Sequence, residues 1–310
     1  MSEASDTVNG HAGVNMTGAA TRAPSTLLAR HPALASWLLV LPGTLWMALF
    51  VGIPMASIIL FSFWKSGFAG LTPQYNLKNY ASLLTSRTFW SITLWTYEVV
   101  LMALAGVIVL SYPAAYAIWR VLRDERWKTA VLLLCIVPFW TSYLTRAITW
   151  LPMFGREGVV NTVLLFLGVV REPIEILLYT PYSMMWALWF LYIVFMIGPL
   201  YHSMRRIDED VMSAAAVLGA TPLRIFFHVV LPLTKPGLMA GALFVVVLGL
   251  GEFFTERVIG GAQHPMLAGL ILRQIDIFQW ASASAIAVAL TMLTLATVAA
   301  MLRFFDLRRI

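Results

Sequence analysis

Three charged side chains, Glu98, Arg146 and Glu252, stand inside or at the ends of long uncharged stretches. An ionisable group in hydrocarbon is expensive, so it faces a cavity, a partner or another charge. Two carboxylates and a guanidinium could line the entry path of a charged solute. They could equally form a structural ion pair, Arg146 with Glu98 or Glu252, or snorkel to the interface. Little else in the chain suggests chemistry. The five histidines, His11, His31, His202, His228 and His264, are scattered and show no metal-ligand spacing. The single cysteine, Cys135, excludes an intramolecular disulfide framework and a multi-cysteine metal site. No Gly-x-x-x-x-Gly-Lys-Ser/Thr loop is present, so the chain cannot hydrolyse ATP by that machinery. Neither metal nor cofactor is expected, and no nucleophile cluster at one depth suggests an enzyme.

A second constellation lies at 207–237, IDEDVMSAAAVLGATPLRIFFHVVLPLTKPG. Val211, Ala214, Ala215 and Leu218 recur at helical spacing and make one narrow apolar face. Asp208, Glu209 and Asp210 precede it, where the helix dipole favours negative charge. Gly219 can take the left-handed conformation that stops a helix. Thr221 and Pro222 supply an N-cap and a first-turn proline, so a second helix starts at once. It carries Leu223, Phe226 and Phe227 and ends near Leu231–Pro232. Ala214, Ala215 and Ala216 keep one surface thin enough for another backbone to approach. The segment is either a docking helix for a cytoplasmic partner or a helix lying in lipid headgroups. The acids weaken the lipid reading, because anionic headgroups repel them.

The elements that must position these residues are membrane helices. Of 310 residues, 60% are hydrophobic and 12% charged, and the mean hydropathy is +0.81. An ordinary soluble domain carries about one-quarter charged residues, so a soluble or disordered chain is excluded. The uncharged runs predict six helical spans, near 37–62, 92–119, 130–150, 180–203, 236–256 and 282–302. The runs are continuous rather than alternating, which favours helices over a barrel. The remaining boundaries are a tail at 1–36, a first span with its outer loop at 37–91, a core at 92–303 and a tail at 304–310. Pro42, Pro54, Pro113, Pro138 and Pro199 predict local kinks. Thirteen of the 21 lysines and arginines fall on the side that holds both termini, so positive-inside places the termini in the cytoplasm. The net charge of +6 is then explained without a nucleic-acid partner. Glu98, Arg146 and Glu252 all fall in the outer half of their spans. The outer loops are expected to carry a short helix at LKNY, an interfacial or re-entrant helix within 156–170, and a turn at Gly260–Gly261 before an amphipathic segment.

The segment SAAAVLGATPLRIFFHVVLPLTKPG resembles the EAA loop of bacterial ABC importer permeases. Ala214, Ala215, Gly219, Leu231 and Pro232 match that pattern in type and spacing, while Ser213 stands where the family has glutamate. Further stretches, SFW at 62–64, LKNY at 77–80, YPAAY at 112–116, VPFWTSYLTRAITW at 137–150, GVVNTVL at 158–164 and GEFFTERVIGG at 251–261, are similar to spermidine/putrescine permeases. The resemblance implies an all-α, six-helix type I ABC importer permease of the bacterial inner membrane. It implies a second permease subunit, a cytoplasmic ABC ATPase dimer that grips the 207–232 loop, and a periplasmic solute-binding protein. The coupling residues would be Asp210, Ser213, Ala214, Ala215, Leu218, Gly219, Leu231 and Pro232. A different class of function remains open: a secondary transporter driven by an ion gradient, with Glu98 and Glu252 as proton carriers.

Overall fold

The computed structural model describes residues 32–67 and 70–304, with side chains described over 40–67 and 70–303. All of the tail at 304–310 beyond Phe304, and most of the tail at 1–36, with Arg22, Arg30, Arg308 and Arg309, lie outside the described residues. The first helix starts at Pro32, inside the stretch expected to be tail.

Among the described residues, four helices are long and apolar enough to cross a membrane: Val40–Ser62, Arg87–Arg120, Pro181–Met204 and Trp280–Arg303. Two bent pairs bring the number to as many as six if each is one span. The first pair corrects an expectation. The third span, 130–150, is not one continuous helix. Helix Glu125–Ile136 passes into a 3₁₀ turn at Val137–Trp140, and the chain then breaks and bends by 97° before Tyr143. Pro138 lacks the N–H that would continue the α ladder, which accounts for the 3₁₀ turn. The second pair, Pro222–Leu233 and Lys235–Leu250, bends by 67° at Thr234. The fifth span is shorter than its expected 236–256, because helix Lys235–Leu250 stops before Gly251.

The chain divides into two units between Met55 and Ala56. The first holds helix Pro32–Met47 and a π-type turn at Ala48–Gly52; helix Ile53–Ser62 begins in it. A second π turn occupies Phe226–Val230 in the other unit. The two turns share a cause. In each, the residue just before a proline (Ile53 before Pro54, Leu231 before Pro232) donates five residues back, to Ala48 and Phe226. A proline ring crowds the carbonyl four residues before it and offers no N–H, and the wider turn relieves both.

Within the second unit a hairpin pairs Lys65–Gly67 with Gly70–Thr72, and helix Lys78–Thr85 follows. Asn79 Nδ2 donates to the carbonyls of Ser62 and Trp64, at 2.8 Å each, and so ties that helix to the end of Ile53–Ser62. The core lies among helices Arg87–Arg120, Pro181–Met204 and Lys235–Leu250. Val99, Val107, Leu188, Met196, Leu200, Val245 and Leu250 are fully buried there. Lipid is as apolar as these side chains, so close van der Waals packing, not expulsion of water, holds the helices together. Gly241 shows how close the approach is: a Cβ there would stand 3.1 Å from Met196 Cα. Hydroxyls add two further ties. Tyr97 and Thr297 share a 2.6 Å hydrogen bond to the last helix, and Tyr112 and Thr234 one of 3.0 Å at the 67° bend.

Candidate functional site: a buried carboxylate chamber and an exposed helical loop

Helix Lys235–Leu250 ends at Gly251, and a short helix resumes at Phe254–Val258. Glu252 sits in the break and is only 4% exposed. A buried carboxylate needs donors to replace water, and three surround it. Tyr143 and Tyr192 donate their hydroxyls to Oε2, the latter at 2.9 Å. The Thr255 N–H donates to Oε1 at 2.7 Å. The Thr255 hydroxyl also meets Tyr143 Oη at 2.9 Å. The break, the Pro181–Met204 helix and the short helix Tyr143–Ile148 therefore converge on one carboxylate.

Beside it opens a cavity of about 350 Å³, walled by Phe139, Tyr143, Tyr192, Phe195, Phe253 and the aliphatic Leu191 and Leu248. Arg146 also lines it. Its guanidinium carbon lies 4.5 Å from the Phe139 ring centre and 5.8 Å from that of Tyr143. Neither ion pair left open for Arg146 forms: among the described residues its charge has no carboxylate within salt-bridge range. Its Nε is buried without a hydrogen-bond partner. Glu98 does not join the chamber. It is exposed on a stripe of the Arg87–Arg120 helix with Ser91, Leu94, Leu101 and Ala105, while its neighbours Val99 and Val100 enter the core. Of the three charges singled out in the sequence, the structure brings two together.

Sequence reasoning missed Tyr192, because nothing in its spacing relates it to position 252. It also missed Glu256, which is 2% exposed, accepts the Met266 N–H at 3.3 Å and pairs with Arg273 at 3.6 Å. Tyr143 carried a usable signal, since it lies one helical turn before Arg146.

The second constellation is built as its capping residues dictate. Asp208 caps helix Glu209–Val217 by accepting the Asp210 N–H at 3.0 Å. Gly219 has φ of 81°. The Ala220 N–H returns to the Ala215 carbonyl at 3.1 Å, and the Gly219 N–H to Ala216 at 2.9 Å. That double return is the left-handed helix stop. Thr221 Oγ1 accepts the Arg224 N–H, and Pro222 opens the next helical turn. Met212 alone among the residues of helix Glu209–Val217 is buried. Val211, Ser213 and Ala214 are exposed, Ala215 is half-buried, and Val217 and Leu218 are 87% and 86% exposed. Leu231 is half-buried and Pro232 exposed. Helix Glu209–Val217 thus hangs from Met212 and turns a small, apolar surface outward, while Ile207 and Val230 bury the two ends of the loop.

Comparison with known proteins places this geometry. The family described as binding-protein-dependent transport system inner membrane component matches residues 108–309, which include both the chamber and the loop. The chain belongs to that family. The permease is 33% identical over 248 residues to "Spermidine/putrescine transport system permease protein PotB" of Escherichia coli (strain K12), covering 79% of this chain and 89% of that one. The protein of the same name from Haemophilus influenzae is 31% identical over 252 residues, covering 80% and 86%. A "Putative 2-aminoethylphosphonate transport system permease protein PhnU" of Salmonella typhimurium is 25% identical over 233 residues, covering 70% and 76%. Among solved structures, a bacterial ABC transporter involved in the import of the acidic polysaccharide alginate superposes with a TM-score of 0.67 at 17% identity. It covers 89% of this chain and 96% of that one, and it shows the fold alone. The permease is therefore an inner-membrane component of an ABC importer, as the loop motif led one to expect.

Proposed function

We propose that this permease forms, with a second permease subunit, the path of an ATP-driven importer for a polyamine such as spermidine or putrescine. The observation that carries the substrate class is Glu252: a carboxylate held by two tyrosine hydroxyls and a backbone N–H, facing an aromatic-walled cavity. An organic cation entering a low-dielectric space loses hydration, and a fixed anion with ring faces around it offsets that loss. The relatives whose names carry spermidine and putrescine support the same class. In this reading the 207–232 loop receives the ATPase dimer on Ser213, Ala214, Ala215, Leu218 and Gly219, with Asp210 at its rim and Leu231 and Pro232 at its base. A periplasmic solute-binding protein delivers cargo at the opposite end. The termini lie in the cytoplasm, as the distribution of basic residues supports, and residues 92–303 act as the transporting core. Glu98 faces outward from the subunit, where lipid contact would cost about 3 kcal/mol; the second permease covers it.

Proteoliposomes test this reading. The complex with its binding protein should accumulate spermidine when ATP is enclosed and ion gradients are collapsed. Uptake that follows the ion gradient and ignores ATP would transfer the protein to the secondary-transporter class.

A further inference from the structure

Arg146 is an odd occupant of the chamber. A buried polar atom is ordinarily hydrogen-bonded, yet Arg146 Nε is buried without a partner, and the guanidinium meets no carboxylate among the described residues. What it does meet are ring faces. Its guanidinium carbon lies within about 6 Å of both the Phe139 and the Tyr143 centres, the range of cation–π attraction. Those two rings border the same cavity as Glu252, and Tyr143 hydrogen-bonds to it directly.

We propose that the faces of Phe139 and Tyr143 beside Glu252 are the subsite for an ammonium group of the cargo, and that Arg146 fills this subsite as a tethered competitor until cargo displaces it. The assignment rests on the organic-cation reading above. An ammonium group at the ring faces would gain the same quadrupole attraction as Arg146 and add a nearby anion that Arg146 does not engage. Two cations cannot share the faces, because like charges at such distances repel. Arg146 is itself only half-buried and sits on the six-residue helix Tyr143–Ile148, so its long side chain has room to leave. Its departure also frees Phe139, whose ring stands edge-on to Phe195 at 4.9 Å. Those two rings border a second cavity of about 580 Å³ that reaches His202 and Arg205. Displacing Arg146 thus loosens the aromatic pair between the two cavities at the moment cargo arrives.

Equilibrium binding of radiolabelled spermidine to the permease–ATPase complex in nanodiscs, without the solute-binding protein, tests the assignment. Arg146→Ala should bind spermidine about tenfold more tightly than wild type, because the competitor is gone; tenfold corresponds to about 1.4 kcal/mol, within the range of a partly desolvated cation–π contact. Arg146→Lys keeps the charge but lacks the planar guanidinium and should fall between the two. Unchanged or weaker binding by both variants, with melting temperatures close to wild type, overturns the competitor role. If Arg146→Ala fails to assemble, Arg146→Lys decides alone: tighter binding supports the role and equal or weaker binding refutes it. Binding by none of the proteins also refutes it. Glu252→Gln separates the two levels. Weakened binding there with no gain in the Arg146 variants removes only the competitor, whereas unchanged binding in Glu252→Gln removes the cation chamber itself.

Discussion

Gly219→Val isolates what the exposed loop does. Gly219 holds φ of 81°, and a Cβ placed there would meet nothing within 4 Å. The cost of valine is therefore torsional rather than steric. A left-handed residue with a side chain costs roughly 1–2 kcal/mol, and β-branching makes it worse. About 2 kcal/mol shifts a local equilibrium roughly 30-fold. The loop can offset little of this, since Met212 is the buried anchor of helix Glu209–Val217, while the transmembrane core does not involve Gly219 at all. The damage should be local. The variant is expected to insert and to melt within a few degrees of wild type, yet to retain a tenth or less of the ATPase on affinity purification. Gly219→Asn, which tolerates the left-handed region, should retain most of it. Equal ATPase recovery with Gly219→Val and wild type would refute the docking surface assigned to this loop.

Other perturbations probe the chamber and its frame. Tyr192→Phe removes one of the two hydroxyls on Glu252; a hydrogen bond to a charged group is worth about 1.5–3 kcal/mol, so thermal melting of the purified complex should fall by several degrees while the ATPase still binds. An unchanged melting curve would mean water replaces the hydroxyl without loss. Gly241→Val forces side-chain atoms against Met196; overpacking costs about 1–3 kcal/mol, and size-exclusion profiles should show reduced assembled complex. A normal profile would show that the helices can separate at that point. Ser213→Glu adds an exposed acid at a site that already faces outward, and ATP-dependent uptake should persist at or near the wild-type rate; its loss would place a negative group opposite Ser213 in the assembled complex.

Much of the frame is legible in the sequence because the membrane imposes it. Uncharged runs mark Arg87–Arg120, Pro181–Met204 and Trp280–Phe304 within a few residues at most ends. The capping residues Asp208, Gly219 and Thr221 mark the loop equally well, since each acts on backbone groups within four residues of itself. What hydropathy does not report is backbone direction. The run at 130–150 is hydrophobic on average despite Arg146, so a window average does not signal the 97° bend after Trp140. Nor does amphipathic spacing say which side of a short helix is anchored: Met212 turns inward, while Val217 and Leu218 turn out. The chamber is the least legible part. Tyr192 lies 60 residues from Glu252 in the chain and Tyr143 lies 109 away; their meeting depends on helix rotation and crossing, which single-chain periodicity does not encode. Glu98 and Glu252 look equivalent as intramembrane acids, yet only packing decides that one is buried beside Arg146 and the other faces outward.

In the proposed mechanism the Glu252 carboxylate carries an organic cation through the permease. Spermidine uptake into ATP-loaded proteoliposomes, compared between wild type and Glu252→Gln, tests it most directly. Glutamine keeps the size of the side chain but lacks the charge; its one oxygen can accept the Thr255 N–H while its amide NH2 donates to the Tyr143 and Tyr192 hydroxyl oxygens. Glu252→Gln should assemble with its ATPase and binding protein, and its uptake should fall to a tenth or less of wild type. Full uptake of spermidine by that variant, with assembly equally intact, would contradict the mechanism.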